Sequence, residues 1–290
     1  MIDFTSIEQM LRDTEQAGLP LWKHIQLSDC HAQDITPESS WARMSAMLES
    51  MIQADEGYRA EDRSHSGLVG GDGGKMAGYG QGDTLCGPLL TDVIAGALRM
   101  GECNACMKRI VAAPTAGACG VLPAVLLPYR RHFGAGEKAL VQALYVASGF
   151  GMIIAARASI SGAEGGCQAE IGAASAMAAG GAAFLLGCDG ETIAHAAALA
   201  MKNLLGLACD PVAGLVEVPC VKRNVIGAVN ALTSADLANA GVRSKIPPDQ
   251  VFDAMRSIGK ALPEEIKETG KGGLAATPTG LAFKESIKGF

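Results

Sequence analysis

The chain has 290 residues, enough to bury a substantial core. Hydrophobic residues make up 49% of it but aromatic residues only 4%, and 37 residues are glycine, so the core is expected to pack small side chains with backbones close together. The formal charge of −6 comes with no dense Lys/Arg run and no basic stripe with interleaved aromatics, which argues against a nucleic-acid partner.

The segment MIDFTSIEQM carries Asp3 and Glu8 and no apolar run; it does not read as a secretory signal, and the cytoplasm is the expected location. Thr5-Ser6-Ile7-Glu8 has the pattern of a capping box, followed by Ile7, Met10 and Leu11 at helical spacing until Gly18 and Pro20. Thr36-Pro37 opens another helix by the N-cap and N1 preferences, with Trp41, Met44, Met47, Leu48 and Met51 as its apolar stripe. Over residues 67–82 half of the positions are glycine, which predicts a loop. Helical periodicity resumes over residues 89–100, 121–132 and most of 138–206, and a last helix is expected near 251–258, after Pro247-Pro248-Asp249. The best period-two run is the short stretch 109–113. These patterns predict an all-α, or nearly all-α, fold: one helical catalytic domain over residues 1–290, with Gly/Pro-rich loops as its active-site segments.

Residues 139–156 and 171–188 are each free of formal charge over a length at the lower limit for crossing a bilayer. Glu170 and Asp189 bracket the second, and both are rich in Ala and Gly rather than Leu and Ile, so buried helices are expected and no membrane contact.

Four Gly- and Pro-rich segments interrupt the helices: residues 64–82, 113–120 (APTAGACG), 161–172 (SGAEGGCQAEIG) and 207–224 (LACDPVAGLVEVPCVKRN). Segments of this kind are where sites usually lie. In a reducing compartment the nine cysteines are thiols, available for core filling, metal binding or catalysis. Cys167 follows Gly165-Gly166, Cys209 precedes Asp210-Pro211 and Cys220 follows Pro219, so each sits where the backbone is expected to leave regular structure. A shared metal centre and ordinary buried thiols both remain open on that spacing. Cys30, Cys86, Cys103, Cys106, Cys119 and Cys188 read as small hydrophobes, and the single CxxC of Cys103 and Cys106 lacks the second pair of a zinc site.

The segments SHSGLVGGDGGKM, APTAGACGVLP, EGGCQAEIGAASAMAAG, CDPVAGLVEVPCVKRN and GGLAATPTG, in this order, resemble the α subunit of the iron–sulfur-dependent bacterial L-serine dehydratases, from about residue 60 onward. The resemblance implies a largely helical catalytic domain and a 4Fe-4S cluster held by Cys167, Cys209 and Cys220. It also implies elimination of water from L-serine to aminoacrylate, which tautomerises and hydrolyses to pyruvate and ammonia. An iron without a protein ligand would act as Lewis acid on the hydroxyl. For the substrate carboxylate, the backbone N–H groups of Thr115, Ala116 and Gly117 at a helix entrance are candidates, a plain helix N-terminus being the equal alternative. Lys75, Lys222 and Arg223 are candidate cationic contacts, each also readable as a surface charge. Of the five histidines only His65 lies in a motif, which makes it the candidate base; His24, His31, His132 and His195 read as surface or helix residues. In the family the catalytic histidines are expected on a separate β subunit or fused β domain with an SHT-x-GP type motif. Ser64-His65-Ser66-Gly67-Leu68 lacks that proline, so a separate β subunit and an oligomer are expected.

Three other readings compete. A cysteine desulfidase-like elimination fits the same fold. A pyridoxal-phosphate dehydratase would use Lys75 beside Gly73-Gly74 but requires strand patterns that are missing. A scaffold or membrane protein built on the Ala/Gly helices would carry no activity. A P-loop is excluded, because Val69 stands where its first glycine belongs.

Overall fold

In a computed structural model the structure describes residues 4–287, and among them thirteen α-helices and no strand occur. The first is α1 (Ile7–Ala17). Its capping box is shifted by one residue from the sequence pattern: the Ser6 side chain accepts from Gln9 N at 3.1 Å and Gln9 Oε1 accepts from Thr5 N at 3.2 Å. Gly18, in the left-handed region at φ 62°, ends it. Next come α2 (Leu21–Gln33) and α3 (Pro37–Glu56), the latter capped as expected by Thr36. Trp41 of the α3 stripe packs on Trp22 and Tyr145, while Met47 faces outward.

After α4 (Asp72–Tyr79), α5 (Gly87–Ala105) and α6 (Val121–Phe133) comes α7 (Glu137–Arg157). A short turn α8 (Gly162–Gly165) and a π-helical turn over Gln168–Gly172 run directly into α9 (Ala173–Leu185), followed by α10 (Gly190–Asn203). The remaining helices are α11 (Cys220–Asn239), α12 (Pro248–Ala261) and α13 (Pro278–Ile287).

The core is built around α9. Every residue from 173 to 183 is buried, and α6, α7, α10 and α11 pack around it. A helix enclosed on all sides can be this apolar without spanning a membrane, and its Ala and Gly residues let the neighbours close in. A Cβ at Gly180 would lie 2.7 Å from the Phe150 ring. This packing accounts for the unusual composition. Helix α7 is long and apolar enough to cross a bilayer, and 61% of that window is enclosed by the other helices.

Three expectations need correction. The glycine-rich stretch 67–82 contains α4, because α5 supplies what the local sequence lacks. The buried Glu102 carboxylate accepts from Asp72 N at 2.7 Å and Gly73 N at 3.2 Å, capping the helix from outside, and Tyr58 Oη accepts from Gly74 N at 3.1 Å. Gly73 is required there by proximity, since a Cβ would meet Arg99 Cγ at 2.7 Å. Residues 161–172 are helical turns rather than a loop. A further helix, α13, follows the one expected to be last. Residues 109–113, the best period-two run, form no strand, in agreement with the all-α reading, and an isolated parallel bridge joins Cys209 and Lys267.

Removing the Glu102 carboxylate leaves the buried Gly73 N–H, the part-buried Asp72 N–H and the Tyr58 hydroxyl without their acceptor. Glu102→Ala is expected to cost about 2–3 kcal/mol of stability, read as a lower denaturation midpoint at unchanged helix content.

Candidate functional site

The site lies where the N-terminal ends of several helices meet. Cys220 is the first residue of α11, Cys167 immediately precedes the π-turn that continues into α9, and residues 115–120 lead into α6. Cys209 reaches the same place from an extended segment. Its N–H donates to Ile266 O at 2.8 Å and its carbonyl accepts from Glu268 N at 2.7 Å. The turn at Cys167 is fixed by fully buried Gln168, whose Nε2 donates to Met255 O at 3.0 Å and whose Oε1 accepts from Gly206 N at 2.9 Å.

All three thiols are buried, at 2%, 2% and 8% exposure for Cys167, Cys209 and Cys220. A hydrogen bond from Cys209, aided by the Arg223 guanidinium, holds the Cys167 thiol below the usual range, while the same bond and burial push Cys209 up. Burial pushes the Cys220 thiol up to about 12. Arg223 is the cation of the pocket: its Nη1 donates to Ala208 O at 2.7 Å, and its Nη2 lies 2.8 Å from Asp210 Oδ1 as an ion pair without hydrogen-bond alignment. Asp210 in turn holds the C-terminal GGLAATPTG segment, accepting from Leu274 N at 2.8 Å.

Beside the thiols lies Glu170. Its Oε1 accepts from Thr115 Oγ1 at 2.8 Å, its Oε2 is 3.8 Å from Cys209 Sγ, and burial raises its carboxyl above the ordinary value. The turn carrying Thr115, Ala116 and Gly117 is pinned by buried Asn224, which donates to Gly117 O and Cys220 O and accepts from Gly120 N at 2.8 Å. The N–H groups of Thr115, Ala116 and Gly117 make no hydrogen bond among the described residues.

The other expected residues divide. Arg223 is in the pocket. Lys75 and Lys222 both pair with Asp72, at 2.9 and 2.6 Å, on an exposed rim where α4 meets α11. His65 is exposed on a loop at that rim. Its neighbours Ser64 and Ser66 both donate to buried Glu217, Ser64 at 2.9 Å. His24, read as a surface or helix residue, lies in α2, buried and stacked on Phe4, and burial lowers its pKa. Of the remaining cysteines, Cys30, Cys103 and Cys119 are buried, Cys106 and Cys188 partly so, and Cys86 is exposed rather than core.

Cys167, Cys209 and Cys220 are the soft donors that could hold a metal or cluster. Among the described residues no three His, Cys, Asp or Glu side chains converge closely enough to hold a single metal ion. Glu170, Asn224, Asp210, Gln168 and Glu217 were not singled out from the sequence. Glu170 had a signal, being the one charge between Cys167 and a long uncharged stretch; for the others the cue was membership in the same short motifs.

Fold and donor set together define an all-α protein with three neighbouring buried thiols beside a turn whose amides are unpaired. The family profile described as "Serine dehydratase alpha chain" matches residues 15–275. The chain is 42% identical over 287 residues to the "Probable L-serine dehydratase, alpha chain" of Bacillus subtilis (strain 168), covering 99% of this chain and 96% of the relative. It is 54% identical over 201 residues to the protein so named from Latilactobacillus sakei, covering 69% and 96%. Against the "L-serine dehydratase, alpha chain" of Peptoniphilus asaccharolyticus the identity is 37% over 274 residues, 94% of each chain. The chain belongs to the serine dehydratase alpha chain family, a family of enzymes.

Because Asn224 alone ties the 115–117 turn to Cys220, Asn224→Ala is expected to lower stability by about 1–3 kcal/mol. Amide hydrogen exchange at Gly120, which loses its acceptor, is expected to accelerate more than exchange in α7.

Proposed function

We propose that the protein dehydrates L-serine to pyruvate and ammonia as the α chain of a two-chain enzyme, using a 4Fe-4S cluster on Cys167, Cys209 and Cys220. The observation that carries this reading is the gathering of three buried thiols from separate segments beside three unpaired turn amides. The donor set, three soft thiols, fits an iron–sulfur cluster; it comes with a compensating cation, Arg223, and with glycine at position 162, where a Cβ would meet Cys209 Sγ at 3.1 Å.

When bound, the cluster supplies a Lewis acid for the departing hydroxyl. The chain's own residues do the rest of the binding work. The amides of Thr115, Ala116 and Gly117 receive the substrate carboxylate at the mouth of α6, where the helix dipole favours an anion. Arg223 offsets thiolate charge at Cys167, and Asp210 keeps Arg223 in place while anchoring the C-terminal segment over Cys209. Enclosure keeps bulk water from the thiols. A Schiff-base role for Lys75 has no support, since its ammonium is exposed and paired with Asp72.

The α-proton needs a base within hydrogen-bond reach. His24, His132 and His195 lie against Phe4, Asp92 and Glu191, and His65 stands on the exposed rim. The base is therefore assigned to a β chain, the counterpart implied by the relatives' designation as alpha chains, docking at this rim in an oligomer. Nine thiols and an oxidant-sensitive cluster suit the reducing cytoplasm.

Two tests follow. After anaerobic iron and sulfide reconstitution, the wild-type chain should hold about four irons with a broad visible shoulder, four being the count of the proposed cluster. Cys167→Ser, Cys209→Ser and Cys220→Ser should each lose it; full iron content in any one removes that residue from the ligand set. Reconstituted α chain alone should release pyruvate from L-serine about 10²- to 10⁴-fold more slowly than with its partner, the usual cost of a missing general base. Equal rates would place the base in this chain, with His65 the first residue to replace.

A further inference from the structure

We infer that Glu170 binds the α-ammonium group of the substrate and thereby makes the site specific for an amino acid over the corresponding hydroxy acid. The inference rests on the reading of the thiol pocket and the 115–117 turn as the serine site.

Glu170 bridges the two halves of that site. Its Oε1 accepts from Thr115 Oγ1 at 2.8 Å, and its Oε2 lies 3.8 Å from Cys209 Sγ. Both ends of the carboxylate face glycine. A Cβ at Gly117 would approach Oε1 to 3.1 Å, and a Cβ at Gly162 would approach Oε2 to 2.9 Å. The same position on Gly162 is 2.9 Å from Glu268 Oε2 and 3.1 Å from Cys209 Sγ, so two carboxylates and a thiol are packed against this glycine, where no side chain would fit.

No cation balances this group. Glu170 forms no ion pair with any Lys, Arg or His among the described residues, and Arg223 is held by Asp210 and Ala208 O. A half-buried carboxylate beside a second carboxylate and a cluster of thiols is electrostatically incomplete until a cation arrives. Directly adjacent is the opposite preference: Thr115 donates its hydroxyl to Glu170 while its own N–H, with those of Ala116 and Gly117, is free for an anion. A cation subsite and an anion subsite joined through one residue match the two charges carried on a single Cα. A hydroxy acid satisfies the amides but places a neutral hydroxyl against the carboxylate, leaving the charge unpaired, and a site built around a substrate N–H rejects an analogue that lacks it.

The test uses the reconstituted enzyme with its partner chain and compares wild type, Glu170→Gln, Glu170→Asp and Glu268→Gln. Iron and sulfide content and the visible spectrum are measured first. Steady-state constants for L-serine follow, then inhibition and calorimetric binding constants for L-alanine and L-lactate, which carry no β-hydroxyl to eliminate and differ in the amino group. Wild type should bind L-alanine more tightly than L-lactate. Glu170→Gln should keep its iron, raise KM for L-serine roughly 10- to 100-fold, as expected for a lost charge-assisted hydrogen bond, and change kcat little. It should also narrow the alanine-to-lactate difference, with Glu170→Asp partly restoring it.

An unchanged serine KM overturns the inference, as does equal weakening of alanine and lactate, a fall in kcat without a change in KM, or loss of iron from Glu170→Gln, which would make the carboxylate a ligand. If Glu170→Gln does not fold, the exposed Glu268→Gln variant and wild-type discrimination decide; no preference of wild type for alanine over lactate rejects the assignment. Absence of pyruvate from wild type with its partner is the separate failure that removes the proposed function.

Discussion

The close approach of helices to α9 is the constraint on which the rest depends. With no side chain larger than Met on its buried stretch 173–183, α9 gains little from any single contact, and its stability comes from being enclosed on every side. Enclosure fixes where the neighbouring helices begin. The π-turn at the entrance of α9 carries Glu170 with Cys167 just before it, α11 begins at Cys220, and α6 begins just after the 115–117 turn. Three helix N-termini are thus brought to one place by packing alone, and the buried Asn224 locks two of them together.

That convergence has an electrostatic consequence. Helix N-termini carry partial positive charge, which makes their meeting point hospitable to anions. Here it receives three thiols, Glu170 and Asp210 against one guanidinium. The charges are distributed unevenly: Arg223 serves Cys167 and Asp210, while Cys209 and Glu170 face one another with no cation between them. The pocket is therefore arranged in two parts. One is neutralised internally and suited to holding a fixed group. The other is short of positive charge and suited to receiving a ligand.

Much of this was legible in the sequence because it rests on local signals. Thr36-Pro37 capped α3 as its pattern demanded, the helical period of 138–206 described α7 to α10, and Gly/Pro punctuation marked the segments bearing the three cysteines. What escaped was set by distant partners. Nothing in DGGKMAGY predicts a helix, because its cap, Glu102, comes from thirty residues further along. The capping box of α1 was misread by one residue because Thr5 and Ser6 are both competent caps and Gln9 serves as well as Glu8. Asp72, which pairs with both Lys75 and Lys222, could not be foreseen as their partner, and Glu170 gained meaning only once Thr115 and Cys209 stood on either side of it.

The rim around the pocket follows the same rule as its interior, with carboxylates from one element organising the backbone of another. Glu102 caps α4, Asp72 at the start of α4 reaches across to Lys222 of α11, and Glu217 gathers Ser64 and Ser66. Each link spans a long separation in sequence, so none is stable until the helical core has formed, and each is then held by a charge-assisted bond. A partner chain that docks there meets fixed features, with His65 displayed on a loop whose two flanking serines are both engaged. In the reading proposed here the enzyme is completed by adding a proton acceptor to a site whose binding elements are already in place.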